Sequence, residues 1–323
     1  MNYIILDLEW NQSPDGKEHE NRKLPFEIVE IGAVKLDSEL KEIDRYHSII
    51  APVVYKSLHH VTKEIIKFTM DELKKGKPFK EAATEFFKWC EDGGEYIFGI
   101  WGSMDLTELQ RNCKYHNVEY NFPYPFVFYD IQKLYSKCYS DGKSRIALET
   151  AVTEQNMTKD IEFHSAYDDA VYTARIFQHM DFNKFKIYTS IDTYRIPTSR
   201  KDEIVMNYGE YTKYISRGFS NKDLLMRDGV VISTRCCECD KNLRKKVRWF
   251  ATSQKKYYCL AFCEEHGYMK GTIKIRKNSD NKYYATKILK AASKEDTATI
   301  KQKQLNERIK RRKRRQKRSF DER

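Results

Sequence analysis

Asp7 and Glu9 stand two residues apart in a short apolar run, residues 3–10, near the start of the chain. The run is rich in β-branched and aromatic side chains, which predicts a strand buried on at least one face. Because side chains alternate along a strand, both carboxylates point to the same side. Two adjacent carboxylates repel each other and lose hydration, and a divalent cation between them offsets both costs. The alternative is that the pair lines the solvated face of an edge strand.

A second group of chemically capable side chains comes later in the chain. Asp105 follows a predicted strand, at the point where a helix begins. His164 precedes a predicted helix over residues 165–180, and Asp169 lies one turn further, where it can face the same space. Asp168 competes with Asp169, but a carboxylate at a helix start also interacts favourably with the helix dipole, which is a structural role. Taken alone, a histidine at this position is typical of a helix cap or of the surface.

The elements that must position these side chains alternate between strands and helices, which predicts an α/β domain ending near residue 182. The first three strands follow one another closely, so we expect them to be antiparallel neighbours. The predicted strands are residues 3–10, 26–36, 43–50, 95–100 and 126–129, and the predicted helices are residues 62–73, 79–90, 104–116, 130–139, 145–155 and 165–180.

Asp-x-Glu, then Asp105, then His-x(4)-Asp-Ala, in that order, resemble the DEDDh exonucleases of the DnaQ-like superfamily. The four motifs together are far more specific than any one of them. The resemblance covers residues 1–182. Three further segments are most similar to the KapD-like and three-prime exoribonuclease branch, namely residues 26–33, 101–105 and 129–132.

The resemblance implies a ribonuclease-H-like fold, in which helices flank a mixed sheet. It also implies a 3′–5′ exonuclease that releases nucleoside 5′-monophosphates from RNA or single-stranded DNA, with RNA favoured by the branch resemblance. Four carboxylates would then hold two Mg²⁺ or Mn²⁺ ions, which suit oxygen ligands and stabilise the attacking and leaving oxygens. His164 would be the general base, because histidine titrates near neutrality. The implied metal ligands are Asp7, Glu9, Asp105 and Asp169.

Two aromatic side chains are candidates for substrate contact. Trp10 follows the Asp-x-Glu motif, where the wider family often has threonine, and it could stack on the terminal base. The alternative is that Trp10 packs in the core. Phe68 falls where the family often has isoleucine near the terminal nucleotide, so it is a second hypothetical base contact.

A cysteine cluster in the second half predicts a structural zinc site. Five cysteines lie near one another and near a histidine, and they form C-x2-C and C-x2-H pairs, as zinc knuckles do. Cys237 competes with Cys236, and Cys259 competes with Cys263 or His266. The alternative is a set of reduced, partly buried cysteines. The predicted ligands are Cys236, Cys239, Cys263 and His266.

Charge divides the chain into two halves. Residues 1–180 carry 22 basic and 30 acidic side chains, whereas the remainder carries 37 basic and 17 acidic ones. An acidic half suits cations and a basic half suits a polyanion. We therefore expect an exonuclease domain over residues 1–182, followed by three further parts. These are a connecting segment at 183–230, a small zinc-ribbon-like β module at 231–290 and a basic tail at 291–323.

The basic tail has two interpretations. A run of lysine and arginine is often a disordered, solvated end, and it can also anchor nucleic acid. The chain has no apolar run of 18 residues and no basic segment at its start, so we expect no membrane span, no secretory signal and a cytoplasmic location. The rival to an enzyme is a non-catalytic nucleic-acid-binding or regulatory protein that keeps the fold.

Overall fold

The computed structural model describes residues 1–321, without the side chains of 314, 315 and 317–321. The chain divides into two compact units, Met1–Tyr194 and Arg195–Arg323. The first unit therefore ends later than the expected residue 182. The reason is a short strand, Ser190–Ile191, which pairs with the strand Val127–Asp130 of the first sheet.

The first unit contains a mixed six-stranded sheet in the order β3-β2-β1-β4-β5-β6. β1 is central, with β2 antiparallel on one side and β4 parallel on the other. The first three strands are antiparallel neighbours, as the sequence predicted, and the α/β class is confirmed. The strands are β1 (Asn2–Asn11), β2 (Glu27–Leu36), β3 (Glu42–Ile49), β4 (Tyr96–Ile100), β5 (Val127–Asp130) and β6 (Ser190–Ile191).

Helices of the first unit follow the predicted positions with one clear difference. The single helix expected over residues 62–73 is two short helices, because Ile66 turns extended and Thr69 starts a new helix with a reciprocal cap to Glu72. The helices are α1 (His60–Ile65), α2 (Met70–Leu73), α3 (Phe79–Glu91), α4 (Asp105–Tyr115), α5 (Ile131–Tyr139), α6 (Leu148–Glu154), α7 (Ala166–His179) and α8 (Phe182–Phe185).

Gly32 lets α7 lie directly on the sheet. Every residue of β2 is buried, and Gly32 sits opposite Asp7 of β1. A Cβ atom on Gly32 would lie 2.2 Å from the backbone carbon of Ala166, the first residue of α7. No other side chain fits there without moving the helix, so Gly32 sets the distance between β1 and the first turn of α7.

The second unit is built on one antiparallel sheet in the order β7-β8-β12-β11-β10-β9. This sheet is larger than the expected ribbon module, and it uses residues that the sequence assigned to a connecting segment. β7 and β8 lie in that segment, and β8 pairs with the distant β12, which local patterns cannot reveal. The elements are β7 (Ile204–Asn207), β8 (Tyr211–Ile215), α9 (Lys222–Arg227), β9 (Arg244–Ser253), β10 (Lys256–Cys263), β11 (Gly267–Lys277), β12 (Tyr283–Ala291) and α10 (Lys294–Asp321).

The basic tail is helical over its described part. Ser293 and Asp296 cap the start of α10 reciprocally, each side chain accepting the other's backbone N–H. Ile300 is buried against Val247, Phe250 and Leu260 of the sheet, so the first turns of α10 belong to the folded unit. Neither α10 nor any other helix in the described part of the chain has the length and apolar character to cross a bilayer.

Candidate active site and metal centre

The predicted carboxylates converge at the centre of the first unit. Asp7 and Glu9 share one face of β1, the central strand, and Asp169 projects from the first turn of α7. One carboxylate oxygen from each of the three lies within 4.8 Å of the others. Residues that are more than 150 positions apart therefore share one pocket, which we call the acidic site together with Asp105.

Asp105 borders this trio without belonging to the tight group. It is the first residue of α4, and it is buried. Its carboxylate accepts a hydrogen bond from the backbone N–H of Leu8, which lies between Asp7 and Glu9 on β1. The Asp105 charge acts on both of those neighbours. The structure thus brings the four predicted carboxylates to one place.

Burial and mutual repulsion raise the pKa values of these carboxyl groups. Burial raises the pKa of Asp7 well above its usual value, and the Asp105 and Asp169 charges add to the effect. Burial and then the Asp169 charge raise the pKa of Glu9 to about 8. Burial raises the pKa of Asp105 to about 7 and that of Asp169 to about 6. Four carboxyl groups whose ionised forms are disfavoured in this way contribute poorly to a structural core and bind positive charge well.

An unpartnered oxygen shows that the acidic site fits a cation. Asp169 Oδ1 is buried and has no hydrogen-bond partner among the described residues. Buried acceptors without partners are rare in folded proteins, because the lost hydration is not replaced. The surrounding donor set consists of carboxylate oxygens, which hard divalent cations prefer. The residues present therefore fit Mg²⁺ or Mn²⁺.

His164 lies at the entrance of α7, exposed to solvent. Its backbone has φ 72°, a left-handed conformation that few residues other than glycine adopt. The backbone N–H and the side chain of His164 lie near enough to Asp169 that both lower the pKa of its carboxyl group, against the effect of burial. His164 and Asp169 are thus direct neighbours, as their spacing in the sequence predicted.

Asp168 points to a different partner from Asp169. Its carboxylate forms an ion pair with Lys67 Nζ at 2.8 Å. Lys67 also donates to the backbone carbonyl of Glu162. Asp168 therefore ties the segment before α2 to the start of α7, which agrees with the structural role that the sequence suggested for it.

Glu30 on β2 is a candidate positioning residue that the motif analysis missed. It is fully buried and pairs with Glu9 across the two strands. Its carboxylate accepts hydrogen bonds from Ser165 Oγ at 2.8 Å and from the Ala166 amide at 3.0 Å. His47 Nε2 lies 2.9 Å from the same carboxylate. Burial raises the pKa of Glu30, but these hydrogen bonds outweigh burial and hold the pKa below its usual value.

The Glu30 contacts fix the start of the helix that carries Asp169. A charged acceptor that receives a hydroxyl and an amide at a helix N-terminus holds that turn in place. The signal in the sequence is an acidic residue inside an otherwise apolar strand, because a buried carboxylate needs dedicated donors. That signal identifies Glu30, but it does not identify Ser165 and Ala166 as the hydrogen-bond donors.

The two aromatic candidates both pack against the protein. Trp10 is half-buried against the main core, and its ring centroid lies 5.7 Å from that of Phe26. Phe68 is half-buried against Val29 and Leu73. These contacts agree with the packing alternative for Trp10, and substrate contact by either ring remains a prediction.

The four predicted zinc ligands meet at one end of the second sheet. The Cys239 and Cys263 sulfurs are 3.7 Å apart, and His266 Nδ1 lies 3.5 Å from Cys236 Sγ and 3.6 Å from Cys263 Sγ. Tetrahedral zinc with ordinary bond lengths requires edges of roughly 3.8 Å between sulfurs and 3.6 Å between sulfur and nitrogen. These three distances match the edges of a tetrahedral zinc site, and all four ligand atoms lie within 4.8 Å of one another.

The competing cysteines are placed elsewhere. Cys237 packs within reach of the Glu210 carbonyl and the Met269 sulfur. Cys259 is fully buried against Gly271, where a Cβ atom would lie 2.4 Å from the Cys259 sulfur. Cys259 lies four residues before Cys263 on β10, roughly 13 Å along the strand, and this distance keeps it out of the cluster that the spacing in the sequence left open.

Comparisons with solved structures find similar folds at low identity. The nuclease domain of 3'hExo, described as a DEDDh family member bound to rAMP, is 21% identical with a TM-score of 0.48, over 59% of this chain and 96% of that one. Cell-death related nuclease 4 (CRN-4) is 16% identical with a TM-score of 0.47, over 59% and 66%. E. coli Exonuclease I in complex with an oligonucleotide is 14% identical with a TM-score of 0.46, over 60% and 43%. A search of curated protein sequences found no match.

The family comparison covers the part of the chain that holds the acidic site. The model of the RNase_T family, described as Exonuclease, matches residues 4–177. This span includes Asp7, Glu9, Asp105, His164 and Asp169, and it confirms the resemblance that their motifs indicated. The chain therefore belongs to the exonuclease family.

Proposed function

We propose that the first unit is a metal-dependent 3′–5′ exonuclease that hydrolyses RNA or single-stranded DNA to nucleoside 5′-monophosphates. The observation that carries this proposal is the convergence of Asp7, Glu9 and Asp169 within 4.8 Å, with one buried Asp169 oxygen left without a partner. Such an arrangement costs stability unless positive charge is bound there. The family membership supports a nuclease reaction at this site.

Each group at the acidic site has a distinct task in this proposal. Asp7, Glu9, Asp105 and Asp169 hold two Mg²⁺ or Mn²⁺ ions, since oxygen donors favour these metals over zinc. When bound, the ions supply positive charge for the attacking and leaving oxygens of the phosphodiester. His164 accepts the proton of the attacking water, and its exposed position leaves it open to substrate and solvent.

A degradation assay tests this function. RNA and DNA of identical sequence, labelled at the 5′ end, are incubated with Mg²⁺, Mn²⁺ or EDTA. We expect a ladder that shortens from the 3′ end, metal dependence, abolition by EDTA and faster loss of RNA. Contacts to the 2′-OH distinguish RNA from DNA, so equal rates would remove the RNA preference but not the exonuclease.

Two neighbouring aspartates provide a matched pair of variants. Asp169→Asn removes a ligand charge, and we expect turnover to fall by at least about a thousandfold while oligonucleotide binding persists, since metals supply several kcal/mol of transition-state stabilisation. Asp168→Asn removes only the partly exposed ion pair with Lys67. We expect it to change turnover by no more than about fivefold, because such pairs contribute at most about 1 kcal/mol. Equal losses in both variants would contradict the ligand assignment.

The rival is a binding protein that keeps the fold without catalysis. It predicts oligonucleotide binding but no product with any metal. The presence of four carboxylates and His164 in one place favours the enzyme. Absence of product from freshly purified protein with Mn²⁺ would favour the rival.

We also propose that the second unit holds a structural zinc ion through Cys236, Cys239, Cys263 and His266. Four ligands close the shell, so the site has no open position for chemistry. Metal analysis of purified protein is expected to find one zinc per chain. Cys239→Ser is expected to lose the zinc and Cys259→Ala to keep it, because Cys259 lies outside the cluster. Absence of zinc from the unaltered protein would refute the proposal.

A further inference from the structure

The second sheet has two unlike faces because side chains alternate along its strands. On β11, Ile273 and Ile275 are buried in an apolar cluster with Leu225 of α9. Between and after them, Lys274 and Arg276 are exposed. One face of the sheet is therefore core. The other is covered by α10 over part of β9 and β10, where Ile300 is buried against Leu260, and it carries charge to solvent on β11.

Strand register places further polar groups on the charged side, since antiparallel partners share a face. Lys256 of β10 lies directly opposite Lys274, which in turn lies opposite Thr286 of β12. In the adjacent register, Tyr258 lies opposite Thr272. We call this surface the basic face, and it consists of Lys256, Tyr258, Thr272, Lys274, Arg276 and Thr286.

Helix α10 adds charge at the edge of the basic face. Lys303 Nζ lies 4.7 Å from the ring centroid of Tyr258, and Lys256 Nζ lies 5.1 Å from the same ring. Burial raises the pKa of Tyr258, but the two lysines outweigh it and lower the pKa below its usual value. The acidic Asp296 at the start of α10 is already engaged by Lys270 and by the amide of Ser293.

The arrangement works against the stability of the free protein. Like charges directly opposite each other in a sheet repel and are destabilising. Lys256 and Lys274 form such a pair. A bound polyanion removes this repulsion, so binding restores the stability that the repulsion takes from the free protein.

We propose that the basic face binds the sugar-phosphate backbone of single-stranded nucleic acid, with Tyr258 as a stacking ring for a base. The choice of ligand as substrate rests on the proposed nuclease function. The cations provide the electrostatic part of binding, and the threonine hydroxyls can donate to phosphate oxygens. A half-exposed aromatic ring between cations on a flat sheet is the arrangement that single strands use for stacking.

An anionic bilayer is the competing partner, because it also attracts lysine and arginine. A protein held at a bilayer inserts apolar side chains beside its cations. The exposed Leu305 and Ile309 lie on α10. The exposed side chains of the basic face, Lys274 and Arg276, are charged, and its apolar neighbours Leu260 and Ile288 are buried or half-buried. The charges on the sheet therefore favour nucleic acid, and vesicles serve as a test.

The test compares two triple variants of the full chain. Lys256→Gln, Lys274→Gln and Arg276→Gln together neutralise the basic face. Lys222→Gln, Arg227→Gln and Lys277→Gln change the same net charge on α9 and on the alternating position of β11, away from the basic face. Fluorescence anisotropy is measured with a labelled single strand of about 20 nucleotides, a length that covers one or two ordinary binding sites. All variants carry Asp169→Asn, which prevents hydrolysis without a chelator that would remove the zinc.

We expect the basic-face variant to lower the slope of log Kd against log salt by about 2, since each neutralised single-strand contact contributes about 0.7. The control variant should change the slope by much less. Lys274→Gln alone should leave the melting temperature unchanged or raised, since it relieves repulsion, while weakening binding. A purely structural role would instead lower the melting temperature.

Equal slopes in the two triple variants would overturn the inference, whatever the nuclease assay shows. Loss of binding to phosphatidylserine vesicles, with oligonucleotide binding intact, would also overturn it and would identify a membrane partner. Loss of oligonucleotide binding by the basic-face variant, in a protein that hydrolyses nothing, would keep the inference and refute the proposed function. The two proposals therefore fail separately.

Discussion

The acidic site of the first unit and the basic face of the second are opposite in charge and similar in construction. In both regions, side chains of like charge lie next to one another although they repel. They differ in burial, because Asp105 is buried and Asp7, Glu9 and Asp169 are half-buried, whereas Lys274 and Arg276 are exposed. Buried repulsion shifts pKa values into the neutral range, while exposed repulsion remains charged and is weakened by salt. The first arrangement suits a few small cations, and the second suits a long anion.

The largest effect on this comparison should come from Gly32→Ala. The added Cβ meets the α7 backbone at 2.2 Å, so α7 must move away from β1 and separate Asp169 from Asp7. We expect a fall in turnover of about a hundredfold or more, since displacements near 1 Å cost that much, with a loss of stability of about 3 kcal/mol. Steady-state kinetics measure the turnover, and thermal melting measures the stability. Gly229→Ala, with open space around its Cβ, is the control, and equal effects would contradict the packing argument.

Glu30→Gln should produce a smaller loss by loosening the start of α7. Replacing a charged acceptor of the Ser165 hydroxyl and the Ala166 amide costs about 1.5–3 kcal/mol of hydrogen bonding. We expect kcat to fall about tenfold, because the carboxylates of the acidic site lose their alignment. KM should change little, because the contacts with substrate are retained.

Glu27→Gln is the matched control for Glu30. Glu27 is also a buried glutamate of β2 that accepts backbone amides, from Val53, Val54 and Tyr55. It should lower the melting temperature similarly and leave kcat near its original value. A fall in kcat that matches that of Glu30→Gln would make the Glu30 effect merely structural.

The pH dependence of stability should expose the burial of the acidic site. The folded pKa of Glu9, about 8, lies above its usual 4.5, so the folded state holds protons that the unfolded state releases. Stability of the metal-free protein therefore falls as pH rises between those values. Without added Mg²⁺ or Mn²⁺ and without a chelator, which would remove the zinc, melting should occur several degrees lower at pH 8 than at pH 6, and Mn²⁺ should raise it again. Glu9→Gln should flatten this pH dependence. An unchanged slope of melting temperature against pH would show that Glu9 is not its cause.

Truncation after Glu307 should have the smallest effect on folding. It removes the basic end of α10 and keeps Ile300, which is buried against the sheet. We expect a melting temperature close to that of the full chain and a lower salt slope of nucleic-acid binding. Truncation after Asp296 also removes Ile300, so it should destabilise the second unit. An unchanged salt slope after truncation at Glu307 would show that the end of α10 is not a nucleic-acid arm.

Local patterns predicted much of the first unit. The strand around Asp7 and Glu9, the position of Asp105 at a helix start and the spacing from His164 to Asp169 all depend on residues close in sequence. The second unit was predicted less well, because β8 pairs with β12 across more than 60 residues. A pairing at that distance leaves no periodic signal in either strand, so residues 183–230 were interpreted as a connection.

Residue spacing alone establishes that two carboxylates share one strand face, that an acid follows a histidine by five positions, and that two knuckles are available for zinc. These are consequences of side-chain alternation and short spacing. Three other features emerge only when the chain is folded: Gly32 admits α7 to the sheet, Glu30 holds the first turn of α7, and Cys259 lies outside the metal cluster. The physical reason is that each of these depends on the distance between backbones far apart in the chain, and burial and packing alone set that distance.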